Sequence, residues 1–136
     1  MKNIGVWLDK EKALVITIED GIENMKKIES NIETFHIHGG SGTRFKGGPQ
    51  DVVQDSKYLE REKHQTKRYF SNLVEEVDNA DSLAIFGPAE TSEKFKKELE
   101  TSHRELNAKV KTVQRVDSMT DNQVKALVRD FFKDEN

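Results

Sequence analysis

Lys46-Gly47-Gly48-Pro49-Gln50 is where residue types and spacing point most directly to chemistry, because five of the eight glycines lie between Gly39 and Gly48 and basic residues flank the run. Glycine lets a backbone come close to a ligand, and a long connection inside a small domain is usually functional when it is more than a spacer. Arg44 and Lys46 would bring positive charge to such a tip, and a plain flexible connector is the competing reading. His36 and His38 fall on one face of an extended strand, as a metal edge would require, but no third ligand is fixed beside them, so no metal is expected. His64 reads as a surface residue of a charged helix. Gly87-Pro88-Ala89-Glu90-Thr91-Ser92 could cradle an anion at a helix start, yet it lacks the glycine spacing of a nucleotide loop and reads as ordinary helix initiation.

These residues need elements to hold them. A chain of 136 residues fits one domain, 1–136, able to bury a core without staples. There is no cysteine, which excludes disulfides, thiolate nucleophiles and cysteine-held zinc or iron–sulfur clusters. The first apolar run, Ile4 to Leu8, is too short for a signal-peptide core, and no run approaches the ~20 residues of a membrane span. The expectation is a cytoplasmic protein with no membrane partner and no cofactor. A net charge of −3 hides an excess of +3 between His36 and Phe70, where seven basic residues face four acids. That asymmetry suits RNA, but the mixed signs also suit a solvated helix face.

Ile4 to Leu8 and Ala13 to Ile18 read as a β-hairpin, and Asp20-Gly21 as the tight turn into a third strand, Ile22 to Ser30. A glycine-rich basic loop spans 36–56. A charged helix from about Lys57 carries Phe70, Leu73, Val74 and Val77 as one buried stripe, while its first half lacks such a stripe and should project or cover the body only partly. Ser82 to Phe86 reads as a central strand, and Gly87-Pro88 as the opening of a helix through Phe95 and Leu99, with proline at its first position. Val110, Val113 and Val116 mark a last strand that breaks strict alternation. Thr120-Asp121-Asn122-Gln123 is a capping box for a final helix with Val124, Leu127, Val128 and Phe131 inside. Trp7 reads as core. The order is β-β-β-loop-α-β-α-β-α, an α/β mixed sheet covered by helices.

With its glycine-rich basic loop before a charged helix, this order resembles the middle, Gly-Gly-Gln-bearing domain of archaeal and eukaryotic class-I peptide-release factors and of Pelota. The matching pieces are His38, Arg44, Lys46-Gly47-Gly48-Pro49-Gln50, the helix with Arg61, Lys63 and His64, and Phe86-Gly87-Pro88-Ala89-Glu90-Thr91. The resemblance implies a ribonuclease-H-like fold and a free-standing release-factor-like domain of the translational machinery. It also implies that Gly47, Gly48 and Gln50 form a tip acting on peptidyl-tRNA. Pro49 interrupts the family's tripeptide, so the implied chemistry is in question while the fold is not.

The expected function is therefore a ribosome- or RNA-associated module acting through its loop. Arg44, Lys46, Lys57, Arg61, Lys63 and Lys67 would contact the phosphates of the ribosome or a structured RNA. DNA is not expected, and oligomeric state is left open. Two alternatives stand beside it. One is a metal-dependent nuclease centred on Asp9 at the end of the first strand, with Glu75 or Asp117 as further carboxylates; the other is a non-catalytic protein-interaction domain.

Overall fold

Asp20 and Gly21 both take positive φ, 53° and 79°, the backbone that a tight hairpin turn demands and that these two residue types tolerate best. That turn joins β2 (Lys12–Glu19) to β3 (Ile22–Glu29), and β1 (Lys2–Leu8) pairs antiparallel with β2 from Lys2↔Glu19 to Leu8↔Ala13. The meander read from the sequence is thus present. The computed structural model describes residues 2–32, 49–88 and 90–135, without the side chains of 49–58, 134 and 135.

The second half adds α1 (Pro49–Val77), β4 (Ser82–Gly87), α2 (Thr91–Ser102), a single turn α3 (Arg104–Asn107), β5 (Val110–Arg115) and α4 (Asp121–Glu135). β4 pairs parallel with β1 and β5 parallel with β4, giving one mixed sheet in the order β3-β2-β1-β4-β5. This is the mixed α/β sheet expected for the ribonuclease-H-like arrangement, with one extra helical turn before β5.

Alternation along the strands sorts the core into two layers. Ile4, Val6, Leu8, Val15, Leu83 and Ile85 meet α1 and α2 on one face of the sheet; Trp7, Leu14, Ile16, Ala84 and Phe86 meet α4 on the other. Every residue of β4 is buried, as befits a strand covered on both sides. Phe70, Leu73, Val74 and Val77 form the buried stripe of α1, joined by Tyr69; each such side chain contributes about 1.5–3 kcal/mol on leaving water. The capping box closes reciprocally: Thr120 N–H donates to Gln123 Oε1 at 2.9 Å and Gln123 N–H donates to Thr120 Oγ1 at 3.2 Å.

Two details differ from the sequence reading, and a third that it read finds its cause here. α1 begins at Pro49, so residues 49–56, expected in the loop, are helical. A first helical turn leaves its N–H groups unpaired, which is why proline is tolerated there. Pro88, by contrast, is not the first residue of its helix but precedes it: the helix starts at Thr91 behind an N-cap Glu90 without a side-chain cap. Lastly, the broken alternation of β5 has a structural cause. Leu83 pairs with Val110 and Ala84 with Thr112, a one-residue bulge that lets Val110 and Val113 pack on the same α1/α2 layer.

Candidate functional site

The turn between β1 and β2 gathers the two stretches that flank the glycine-rich segment. Asp9 holds the turn: its N–H donates to the Lys12 carbonyl at 2.9 Å, and its Oδ1 accepts from the N–H groups of Glu11 at 2.8 Å and Lys12 at 2.9 Å. A short acidic side chain bonding to the backbone two and three residues on is what makes aspartate a turn former. β3 ends against this turn. Ser30 N–H donates to the Glu11 carbonyl at 2.9 Å, Ser30 Oγ donates to the Lys10 carbonyl at 2.6 Å, and Ile32 N–H donates back to Ser30 Oγ at 3.2 Å. Asn31 beside it takes a positive φ of 55°, a backbone asparagine accepts more readily than most residues.

The helix on the far side of the segment is tied to the same turn. The hydroxyl of the buried Tyr69 donates to the Asp9 carbonyl at 3.0 Å, and Lys10 pairs with Glu62 at 3.6 Å. Burial, and then the negative charges of Asp9 and Glu29, push the Tyr69 phenol well above its ordinary value, so it remains a neutral donor. The partly exposed Lys10–Glu62 pair adds little energy, but it fixes the same orientation. Ser30 and α1 thus leave one polar knot, built on Asp9, on either side of residues 33–48.

Above the knot, α1 changes character. Its end toward Val77 buries one stripe against the sheet, whereas Leu59, Arg61, Lys63, His64, Lys67 and Arg68 are all exposed. At 3.6 residues per turn Arg61, His64 and Arg68 share one face, while Lys63 and Lys67 share another. Lys63 and Lys67, together with Leu59 and Phe70, face Lys94 and Glu98 of α2 across an open groove of about 640 Å³. His64 also lines it. A second depression of about 480 Å³ meets this groove at Lys94 and is lined by Asp9, Glu11, Glu90 and Thr91 among others.

The expected site residues fall into three groups. Arg44, Lys46, Gly47 and Gly48 lie outside the described residues, as do His36 and His38. Gln50 and Lys57 lie in α1, Gln50 in its first turn; their side chains are outside the described ones. Arg61, Lys63 and Lys67 are exposed on α1, but on two faces rather than along one track. Lys94, on a different helix, joins Lys63 and Lys67 only through folding and carries no local signal; Arg68 was legible as the i+7 companion of Arg61.

Asp9 acts as a turn former. Among the described residues no three histidine, aspartate or glutamate side chains come together in a way that could hold a metal ion, and Glu75 and Asp117 are exposed. None of the described helices is long and apolar enough to cross a membrane.

No family model matches this sequence, and no curated protein does. Solved structures do. Pelota of Archaeoglobus fulgidus aligns over 98% of this chain and 35% of its own, with a TM-score of 0.55 at 10% identity. An archaeal translation termination factor aligns over 98% of this chain and 39% of its own, with a TM-score of 0.49 at 10% identity. The chain therefore spans little more than a third of the length of either protein, and what it shares with Pelota, as its order of elements led us to expect, is a fold.

Proposed function

We propose that this chain is a translation-related module that binds the ribosome or a structured RNA through its glycine-rich basic segment and the exposed half of α1. The observation that carries the reading is the knot at Asp9. It fastens Ser30 and α1 to one rigid turn, so the basic residues between them and the cations of α1 work from a common base. Arg44 and Lys46 on the segment, with Lys57 and Arg61 on α1, supply the phosphate contacts, and the exposed Arg68 extends them along the face of Arg61. Lys63 and Lys67, exposed on another face of the helix, stand apart from this track. The fold shared with Pelota supports the translational setting.

Catalysis is the finer half of the proposal. Gly47, Gly48 and Gln50 form the tip, and Pro49, at the start of α1, separates Gln50 from the glycines. Charge acts at a distance, while hydrolysis needs a backbone within hydrogen-bond reach, so two variants divide the reading. Replacing Arg44 and Lys46 by alanine weakens ribosome co-sedimentation and flattens its salt dependence, whereas Gln50→Ala leaves binding nearly intact. Deleting Pro49 rejoins Gly-Gly-Gln and raises any basal hydrolysis of ribosome-bound peptidyl-tRNA. Unchanged sedimentation of the double alanine variant removes the binding half. Inactivity of both the wild-type and the Pro49-deleted protein removes the catalytic half.

A further inference from the structure

The groove between α1 and α2 differs in kind from a phosphate track. Its floor includes the ring of Phe70, which packs against Phe95 with centroids 5.3 Å apart. At its lip stands Leu59, 65% exposed, one of two large apolar side chains so exposed among the described residues. A single exposed leucine is ordinary on a protein surface. This one lines an open two-helix groove whose cations are Lys63 and Lys67 from one wall and Lys94 from the other.

We propose that this groove is a docking site for an acidic, amphipathic helical segment of a protein partner, its apolar side chain seated on Leu59 and Phe70 and its carboxylates on Lys63, Lys67 and Lys94. Of the groove's own two acids Glu62 is already paired with Lys10, and Glu98 on the α2 wall still leaves the three lysines in excess. Lys94 reaches Glu90 only at 3.7 Å through a solvent-exposed pair, which a partner carboxylate readily replaces.

Charge complementarity selects a peptide over RNA. Beyond Lys94 the groove opens onto the depression lined by Asp9, Glu11 and Glu90 against Lys10, which already pairs with Glu62, so a uniform polyanion entering over the lysines would meet an excess of carboxylates. A peptide carries acids at one end only and offers the apolar anchor that Leu59 and Phe70 call for, which is the helix-in-groove mode of recognition. The proposal is independent of RNA binding by Arg44 and Lys46.

The test is selection of random displayed peptides of about 16 residues, roughly four helical turns, on the full chain, followed by anisotropy measurements on the winners. Enriched sequences are expected to pair leucine, methionine or phenylalanine with aspartate or glutamate at helical spacing. Leu59→Ser, and separately Lys63→Glu with Lys67→Glu, should each weaken them by roughly tenfold. All three positions are exposed, so these variants fold, and the Arg44→Ala/Lys46→Ala protein should bind the peptides as wild type does. Enrichment of basic or uncharged motifs, affinity indifferent to Leu59→Ser, or displacement of the peptides by a uridine-rich RNA oligonucleotide would each overturn the proposal. Dimerisation of the chain that Leu59→Ser abolishes would overturn it in favour of a second copy as occupant.

Discussion

Removing one oxygen atom from Tyr69 tests whether the knot beneath the glycine-rich segment holds as described. Tyr69→Phe keeps the ring, which is 1% exposed and packed in the α1 layer, and deletes only the hydroxyl that donates to the Asp9 carbonyl at 3.0 Å. A typical intramolecular hydrogen bond is worth about 0.5–1.5 kcal/mol net, and the part-buried carbonyl left without it adds to the loss, so about 1–2 kcal/mol is expected. Tyr69→Ala also empties the site of its ring and should cost about 3–5 kcal/mol. For a chain of this size the phenylalanine variant should melt roughly 3–7 °C lower. Urea titrations of the three proteins give the comparison.

Amide exchange gives the local readout, with the Lys12 and Ser30 amides losing protection first in the phenylalanine variant. The pH dependence has a definite sign. Because the folded phenol is raised above its unfolded value, its contribution is complete below about pH 10 and is lost as pH rises above that, where the unfolded chain ionises first. The phenylalanine variant should lack this alkaline loss. A cost within roughly 0.3 kcal/mol of zero would mean that the hydroxyl ties nothing, and one equal to that of alanine would mean that the buried ring contributes nothing; either would refute the reasoning.

Gly5→Ala should destabilise by about 1–3 kcal/mol, because a Cβ there would meet the γ-methyls of Val128 at 2.5 and 2.6 Å; pairing it with Val128→Ala should recover part of that loss in a double-mutant cycle, and strict additivity would contradict the contact. Glu23 accepts a two-pronged bond from Arg129 at 3.0 and 3.1 Å, which holds its carboxyl below the ordinary value despite slight desolvation. Its contribution is therefore present above the usual carboxylate range and lost as pH falls through the folded value, and an NMR titration should show the Glu23 midpoint rising toward normal in Arg129→Ala.

Much of this architecture was legible because its causes are local. Alternating apolar residues in 4–8 and 13–18, the Asp20-Gly21 turn, the Phe70-Leu73-Val74-Val77 stripe and the Thr120–Gln123 box each act over a few residues, through pleat, helical period or a capping bond, and each stands where the sequence put it. Other features needed the folded chain, because their partners are distant in sequence. The bulge opposite Leu83 and Ala84 exists because Val110 and Val113 must reach the same layer. Asp9 was legible as a polar hairpin end, but its bond to Tyr69, 60 residues on, was not. Lys94 joins Lys63 and Lys67 only because β4 inserts beside β1 and sets α2 against α1. Periodicity says which side of a helix is buried, but only packing decides what stands across from the side that is not.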